Sequence, residues 1–346
     1  MAYSYAAEMK RMRKCGTASI TLPLLLCSLL GGGCFHAHYH SKPVSLAPLP
    51  ENIRAEIDYP PKPIASVEKV CPADAHYQTR HFELSVPMVG TGTNKTVELA
   101  CYTPSHDHPL PVILVFPVSG GGYFIEEIFA KYFYRHGYAT IIVYRESDAE
   151  RDPKTGPEIN QTLRQSVLDN KRVVDWVVSR PEYDAKKIGI LGTSMGSFKA
   201  TFLVGVDPRI RAAALGLTGG DFPYIMAYSK EGAWHHRGLT RRREAYLSEH
   251  HLTKAQFRQL LEKEVVWDPN AVAPSIAPEK VLMIIALGDT VVPTRTGKEL
   301  RRLMHQPETL FVVSGHYTAY LYLPRIKSEL LRFFNKRLKP GNGVME

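Results

Sequence analysis

The feature that most constrains the fold of this chain is a tight turn between a predicted strand and a predicted helix. Residues 187–191 form a short apolar run that predicts a buried strand, and residues 198–206 predict the helix behind it. The sequence G-T-S-M-G occupies residues 192–196 between them. Such a turn would lift the Ser194 hydroxyl above the sheet and place the Met195 amide at the helix N-terminus.

Predicted strands and helices alternate through much of the chain, which indicates an α/β fold. The strands are continuous apolar runs and the helices are amphipathic, so we predict a mostly parallel central sheet with helices on both faces. The composition, 44% hydrophobic and 22% charged in 346 residues, excludes a disordered chain and a polytopic membrane protein. The predicted strands are 111–116, 138–144, 187–191, 211–217, 281–287 and 310–313, and the predicted helices are 124–136, 161–180, 198–206, 296–304 and a closing helix containing 326–334.

A serine hydroxyl needs a base and an orienting acid before it acts as a nucleophile, and two later turns offer them. Asp289 follows the predicted strand 281–287, and His316 follows the predicted strand 310–313. The order serine, acid, histidine, each just after a strand, is the order expected with this kind of turn. Asp221, which follows an earlier strand, remains an alternative acid.

Backbone amides would stabilise the oxyanion of such a reaction. The Met195 amide is one predicted donor, and the loop after strand 111–116 supplies the other. Val118 and Ser119 are both candidates there, because an amide donor does not depend on the side chain. No Gly-Lys-Ser/Thr follows in this glycine-rich loop, which disfavours a phosphate-binding site.

These motifs resemble those of the α/β hydrolases, nearest the branch of dienelactone hydrolases and bile-acid acyltransferase-like esterases. The resemblance covers residues 82–338 and rests on YDAKKIGILGTSMGS, LGDTVVP and SGHYT. It implies a hydrolase domain at 76–340 with Ser194 as the nucleophile, Asp289 as the acid and His316 as the base. The departures are Ser197 and Ala286, where glycine is frequent, and a serine in place of the nucleophilic cysteine of dienelactone hydrolases proper.

The first 33 residues have the composition of an export signal. Basic residues at 10–14 precede about fourteen mostly apolar residues at 17–30, too few to span a bilayer. The GGGC at residues 31–34 resembles the lipobox of bacterial lipoproteins, although glycine stands where leucine is usual. The resemblance implies lipidation of Cys34 and a membrane-anchored protein of the bacterial cell envelope that faces the periplasm. Plain secretion and a start at Met9 are alternatives.

Residues 34–75 are rich in proline and predict an extended tether between the anchor and the domain. His36, His38 and His40 alternate within it, but no carboxylate accompanies them, so we predict no metal site.

Cys71 and Cys101 remain once the signal and Cys34 are set aside. They flank a predicted hairpin, 81–89 and 96–103, so a disulfide between them is reasonable in an oxidising compartment. Two buried thiols are the alternative.

Residues 218–278 lie between predicted strands and would form a small helical cap over the site. Thr253 and Gln256 have the spacing of a capping box, which predicts a helix at 254–264. The region also contains basic residues that we interpret as a solvated helical face or, alternatively, as a surface for anionic substrates or lipid headgroups. They are His235, His236, Arg237 and Arg241–Arg243.

Together the motifs predict an enzyme that cleaves a carboxylic ester through an acyl-enzyme intermediate, with no metal or organic cofactor. The predicted partners are a small-molecule or lipid-like ester and the membrane surface. The net charge of +9 is dispersed, so no nucleic-acid partner is predicted. An acyltransferase or a peptidase would use the same residues, whereas a non-catalytic envelope binding protein would keep the fold and lose the three side chains.

Overall fold

The computed structural model describes residues 34–37, 44–59, 63–69, 76–120, 122–145, 155–231 and 238–339. The chain divides into two compact units, residues 1–35 and residues 36–346. The predicted signal, residues 1–33, lies outside the described residues. Within the described ranges, no helix is both long enough and apolar enough to cross a membrane.

The second unit is built on a mixed β-sheet. Its strand order is β10-β9-β8-β7-β5-β6-β4-β3-β2. The strands from β10 to β6 run parallel to their neighbours, and the pairs β6–β4, β4–β3 and β3–β2 are antiparallel. The described strands are β1 Cys34–Ala37, β2 Ser66–Lys69, β3 Thr79–Pro87, β4 Asn94–Tyr102, β5 Leu110–Phe116, β6 Ala139–Val143, β7 Tyr183–Thr193, β8 Ile210–Gly216, β9 Val281–Ala286 and β10 Glu308–Val312.

Helices cover both faces of this sheet, which confirms the predicted fold class. Two of them, α2 and α10, contact each other on one face, and α3 and α4 contact each other on the opposite face. The described helices are α1 Glu51–Ile57, α2 Phe124–Arg135, α3 Gly156–Val178, α4 Met195–Val206, α5 Phe222–Tyr228, α6 Leu239–Glu249, α7 Lys254–Glu264, α8 Pro269–Val272, α9 Thr294–Leu303 and α10 Leu323–Leu338, with 3₁₀ turns at Ala273–Ser275, Pro278–Lys280 and Thr318–Tyr322.

Helix α4 lies in the middle of the molecule. It is apolar nearly all round, as expected for a helix buried between a sheet and other helices. The parallel strands β5, β6 and β9 are likewise buried along their whole length. Because β7 leads directly into α4, the turn between them is fixed at the centre of the core.

Part of the predicted tether is a packed helix. Ile53 and Ile57, one helical turn apart on α1, are both buried in the main core. The Trp267 indole N–H donates to the Glu56 carboxylate over 3.1 Å, and the Tyr59 hydroxyl donates to Asp175 over 2.9 Å. The structure therefore differs from the predicted extended tether at residues 51–59, because this segment buries an apolar stripe.

The described parts of the insertion, residues 218–231 and 238–278, contain the helices α5 to α8, and the role of the insertion as a cap over the site stays a prediction. The capping box of Thr253 and Gln256 is formed at the start of α7. Arg243 differs from the prediction for the basic cluster: it is buried, and it donates to the carbonyls of Ser229 over 2.8 Å and Met226 over 3.3 Å. It thus satisfies carbonyl groups at the C-terminal end of α5 instead of facing solvent. His235, His236 and Arg237 lie outside the described residues.

Cys101, on β4, is buried and forms no disulfide with another described residue, and burial raises the pKa of its thiol to about 12. Cys71 lies outside the described residues, so the Cys71–Cys101 disulfide stays a prediction. Of the three alternating histidines, only His36 is described. Its Nε2 lies 3.1 Å from a Glu308 carboxylate oxygen and its Nδ1 lies 3.6 Å from Glu329.

Candidate active site

The turn between β7 and α4 has the strained backbone expected of a nucleophile turn. Ser194 has φ of 54° and ψ of −119°, a region that a residue with a side chain rarely adopts. A Cβ atom on Gly192 would collide with the Gly196 carbonyl, and one on Gly196 would collide with the Phe116 carbonyl. Both glycines are therefore required by backbone packing.

Hydrogen bonds on both sides hold the strained residue in place. The Ser194 N–H donates to the Gly216 carbonyl on β8 over 2.8 Å. The Ser194 carbonyl accepts the Ser197 N–H over 2.9 Å and the Ser197 hydroxyl over 2.5 Å. Ser197, which stands where glycine is frequent in the resembling family, thus supports the turn.

The structure brings Ser194, His316 and Asp289 together. His316 Nδ1 lies 2.7 Å from Asp289 Oδ2, and His316 Nε2 lies 3.1 Å from Ser194 Oγ. Because a carboxylate can only accept, the His316 proton belongs on Nδ1, and Nε2 is left to accept the Ser194 hydroxyl proton. The three side chains are largely buried, so water has little access to the hydrogen bonds between them.

Asp289 is itself oriented by the backbone. Its Oδ1 atom accepts the N–H groups of Val291 over 2.8 Å and Val292 over 2.9 Å. The alternative acid, Asp221, instead caps α5 by accepting the Tyr224 N–H over 3.1 Å, and it lies 3.6 Å from Arg258. The geometry therefore favours Asp289 over Asp221 as the partner of His316.

In the loop after β5, one of the two amides predicted to bind the oxyanion is bonded to a side-chain carboxylate. The Val118 N–H donates to Glu126 Oε1 over 2.8 Å. Glu126 is only 2% exposed, and burial raises the pKa of its carboxyl. Of the predicted oxyanion donors, the Val118 amide is thus already bonded within the protein, whereas the Met195 amide occupies the first position of α4, where no intrahelical acceptor exists.

Arg145, at the end of β6, holds the same loop from the other side. Its guanidinium donates to the carbonyls of Val118 over 2.7 Å and Gly120 over 2.6 Å, and it lies 4.7 Å from the centre of the Tyr123 ring. Sequence reasoning missed Glu126 and Arg145. An acid in the first turn of the helix after the loop was the available signal for Glu126.

A cavity of about 920 Å³ lies beside this loop, next to Phe116 and Pro117. Its wall includes a buried ion pair, in which Lys95 Nζ lies 2.7 Å from Asp169 Oδ2, and Lys199 of α4. Polar and apolar groups contribute about equally to the wall of the cavity, so it can hold a ligand that has both hydrogen-bonding and apolar parts.

The strand order and the helices on both faces of the sheet give the chain an α/β-hydrolase-like fold. Acetyl xylan esterase from Paenibacillus sp. R4 is 21% identical with a TM-score of 0.61, covering 83% of this chain and 93% of that chain. Acetyl Xylan Esterase 1 from Thermoanaerobacterium sp. JW/SL YS485 is 16% identical with a TM-score of 0.57, covering 84% and 94%. The Pyrococcus horikoshii acylaminoacyl peptidase is 16% identical with a TM-score of 0.55, covering 78% of this chain and 43% of that chain.

Part of the sequence also matches a family of known proteins. Residues 97–218, about a third of the chain, match the Dienelactone hydrolase family. That segment contains the loop after β5 and the Ser194 turn, and it ends before Asp289 and His316. No curated protein sequence matches the chain.

Proposed function

We propose that the protein is a serine hydrolase that cleaves a carboxylic ester through an acyl-enzyme intermediate. The observation that carries this proposal is the chain of two hydrogen bonds from Ser194 through His316 to Asp289, built on a strained turn. Strain of this kind is retained where the geometry of a reacting group matters. A binding protein that had only kept the fold would have no need of it.

The reaction would proceed in two halves. Ser194 Oγ attacks the acyl carbon while its proton passes to His316 Nε2, and Asp289 stabilises the imidazolium that forms. The bond from carbon to the alcohol oxygen then breaks as His316 returns the proton to the leaving alcohol. In the second half, water attacks the acyl carbon and gives a proton to His316. The bond from carbon to Ser194 Oγ then breaks as His316 returns this proton to Oγ, which releases the acid and free Ser194.

The oxyanion would be stabilised by the Met195 amide and by one amide of the loop after β5. Val118, whose amide donates to Glu126, and Ser119 both stay candidates for the loop donor. Glu126 and Arg145 would then act as positioning residues that hold the loop after β5 in place.

The comparisons support an ester as the substrate, because the family matched by residues 97–218 and the acetyl xylan esterase structures are named for ester or lactone cleavage. The fold also occurs in an acylaminoacyl peptidase, so fold alone does not separate ester from amide substrates. We further propose that the chain is exported and lipidated at Cys34, on the strength of its N-terminal sequence.

Labelling with a fluorophosphonate probe tests the proposed nucleophile in the full chain. We expect wild type to be labelled and Ser194→Ala not to be. Ser66→Ala is the matched control: Ser66 is an exposed serine on β2, at the far edge of the sheet from β10, so its loss should leave labelling intact. Persistent labelling of Ser194→Ala, or no labelling of folded wild type, would refute the assignment. If Ser194 is labelled as expected, a panel of esters of increasing acyl length would define the substrate.

A further inference from the structure

The segment that joins β10 to α10 exposes large apolar side chains immediately beside His316. The segment, residues 313–322, contains His316, and the Tyr317 ring contacts the His316 ring with centroids 5.4 Å apart. The Tyr322 hydroxyl donates to the Val313 carbonyl over 3.1 Å, which folds the segment back on the end of β10. The exposed fractions are 56% for Val313, 56% for Tyr317, 51% for Tyr320 and 66% for Leu321.

The proposed lipid attachment point is tied to the same pair of elements. His36 contacts Glu308, the first residue of β10, and Glu329 in α10. Cys34 is two residues earlier, so covalent geometry keeps its sulfur within roughly 10 Å of His36, given about 3.6 Å per residue and the side chain. A lipid on Cys34 would therefore keep the start of β10 close to a membrane. The exposed segment begins at the other end of this five-residue strand, roughly 17 Å away.

The charge of α10 suits an anionic lipid surface. This helix contains five basic residues and one acidic residue. Arg325 and Arg332 keep about half of their side chains exposed while also bonding to Glu329. Juxtamembrane basic residues are attracted by anionic lipids, and tyrosine side chains are favoured at the membrane interface.

We propose that Val313, Tyr317, Tyr320 and Leu321 form a docking face for an anionic phospholipid bilayer. On this inference, which rests on the proposed hydrolase function and lipidation, the active site opens beside the lipid surface. Its substrates are then esters dissolved in the bilayer, and water-soluble esters are only surrogates.

The first test is fluorescence quenching and needs no catalysis. The full lipidated chain carrying Tyr320→Trp is reconstituted into phosphatidylglycerol vesicles that contain brominated phospholipid. We expect the added emission, relative to the parent chain, to be quenched at least twofold. Val67→Trp is the matched control, because Val67 is also exposed, at 62%, but lies on β2 at the far edge of the sheet. Equal quenching at both positions, or none at residue 320, would overturn the proposal.

The second test separates this surface from the chemistry. We expect Leu321→Asp to lower hydrolysis of a vesicle-embedded ester about tenfold, since an inserted leucine is replaced by a charge, and to leave a water-soluble short-chain ester within twofold. Equal losses on both esters would make the segment a wall of the substrate pocket and overturn the proposal. A change from dimer to monomer in Leu321→Asp would assign the face to a second copy and overturn it as well. If no ester is cleaved, the hydrolase function fails, while the quenching result still decides the docking face.

Discussion

The buried carboxylate of Glu126 accepts the backbone N–H of Val118, eight residues earlier in the chain. The contact closes the loop after β5 onto the first turn of α2, beside the Ser194 turn. A buried carboxyl normally requires a charged partner, and here the loop amide and the N-terminal end of α2 take that role.

This contact predicts how stability depends on pH. Burial raises the pKa of Glu126 above its ordinary value of 4.5. The folded state then holds the proton more tightly than the unfolded state, so the contribution of this group is greatest below pH 4.5 and is lost as the pH rises through the folded pKa. We expect wild type to lose unfolding free energy relative to Glu126→Gln as the pH rises from 4.5 towards neutrality, measured by urea denaturation.

Glu126→Gln retains an oxygen that accepts the Val118 N–H, so the loop should remain in place. Glu127→Gln is the matched control, because Glu127 pairs with Lys131 on the surface of the same helical turn. A difference between wild type and Glu126→Gln that does not change with pH would contradict the assigned shift.

The choice of acid can be tested by comparing two aspartates. Asp289→Asn should lower kcat about 10⁴-fold, because the amide no longer holds His316 in the productive tautomer. Asp221→Asn should change kcat by less than about threefold, since asparagine is also a good N-cap for α5. Steady-state kinetics on a soluble ester give both numbers, and the reverse pattern would transfer the role to Asp221.

The glycines of the turn allow a test of packing. Gly196→Ala should cost about 1–3 kcal/mol of unfolding free energy and abolish probe labelling, because the new methyl group meets the Phe116 carbonyl. Gly205→Ala lies in the same helix, and its new methyl group would come no closer than 3.3 Å to Ile276, so it should fold and label normally. Normal stability and labelling of Gly196→Ala would show that the turn is less tightly packed than described.

Lipidation is tested by metabolic labelling with radioactive palmitate. We expect incorporation into wild type and none into Cys34→Ala, since the lipidated residue is the cysteine that ends the GGGC sequence. Cys27→Ala is the control, because that residue leaves with the predicted signal. Palmitate label retained by Cys34→Ala would mean that the lipid is attached to another residue, and it would refute Cys34 as the lipidation site.

The strand and helix order of the domain was predictable because parallel strands such as β5, β6 and β9 are buried along their whole length and appear in the sequence as continuous apolar runs. The meeting of Ser194, Asp289 and His316 was predictable for a related reason: the C-terminal ends of parallel strands share one edge of a sheet. Only the side-chain contacts, such as Asp289 bonding to the amides of Val291 and Val292, required the structure.

The sequence was least informative where a contact joins distant or short segments. The proline count between residues 34 and 75 concealed the single apolar stripe of α1, whose partners lie elsewhere in the chain. Arg243 belongs to a run of three arginines, and nothing in that run distinguishes the buried side chain from its neighbours. Glu126 resembles an ordinary acid in a first helical turn until its burial is known.

Helix α1 also determines the order in which the domain can be completed. Its anchoring partners, Asp175 and Trp267, follow Tyr59 and Glu56 by 116 and 211 residues. Contacts with so long a separation form late, because the intervening chain must first be brought together. During synthesis, we therefore expect Ile53 and Ile57 to remain accessible to chaperones at least until α3, which contacts α1, has left the ribosome, and the contact with Trp267 closes later still.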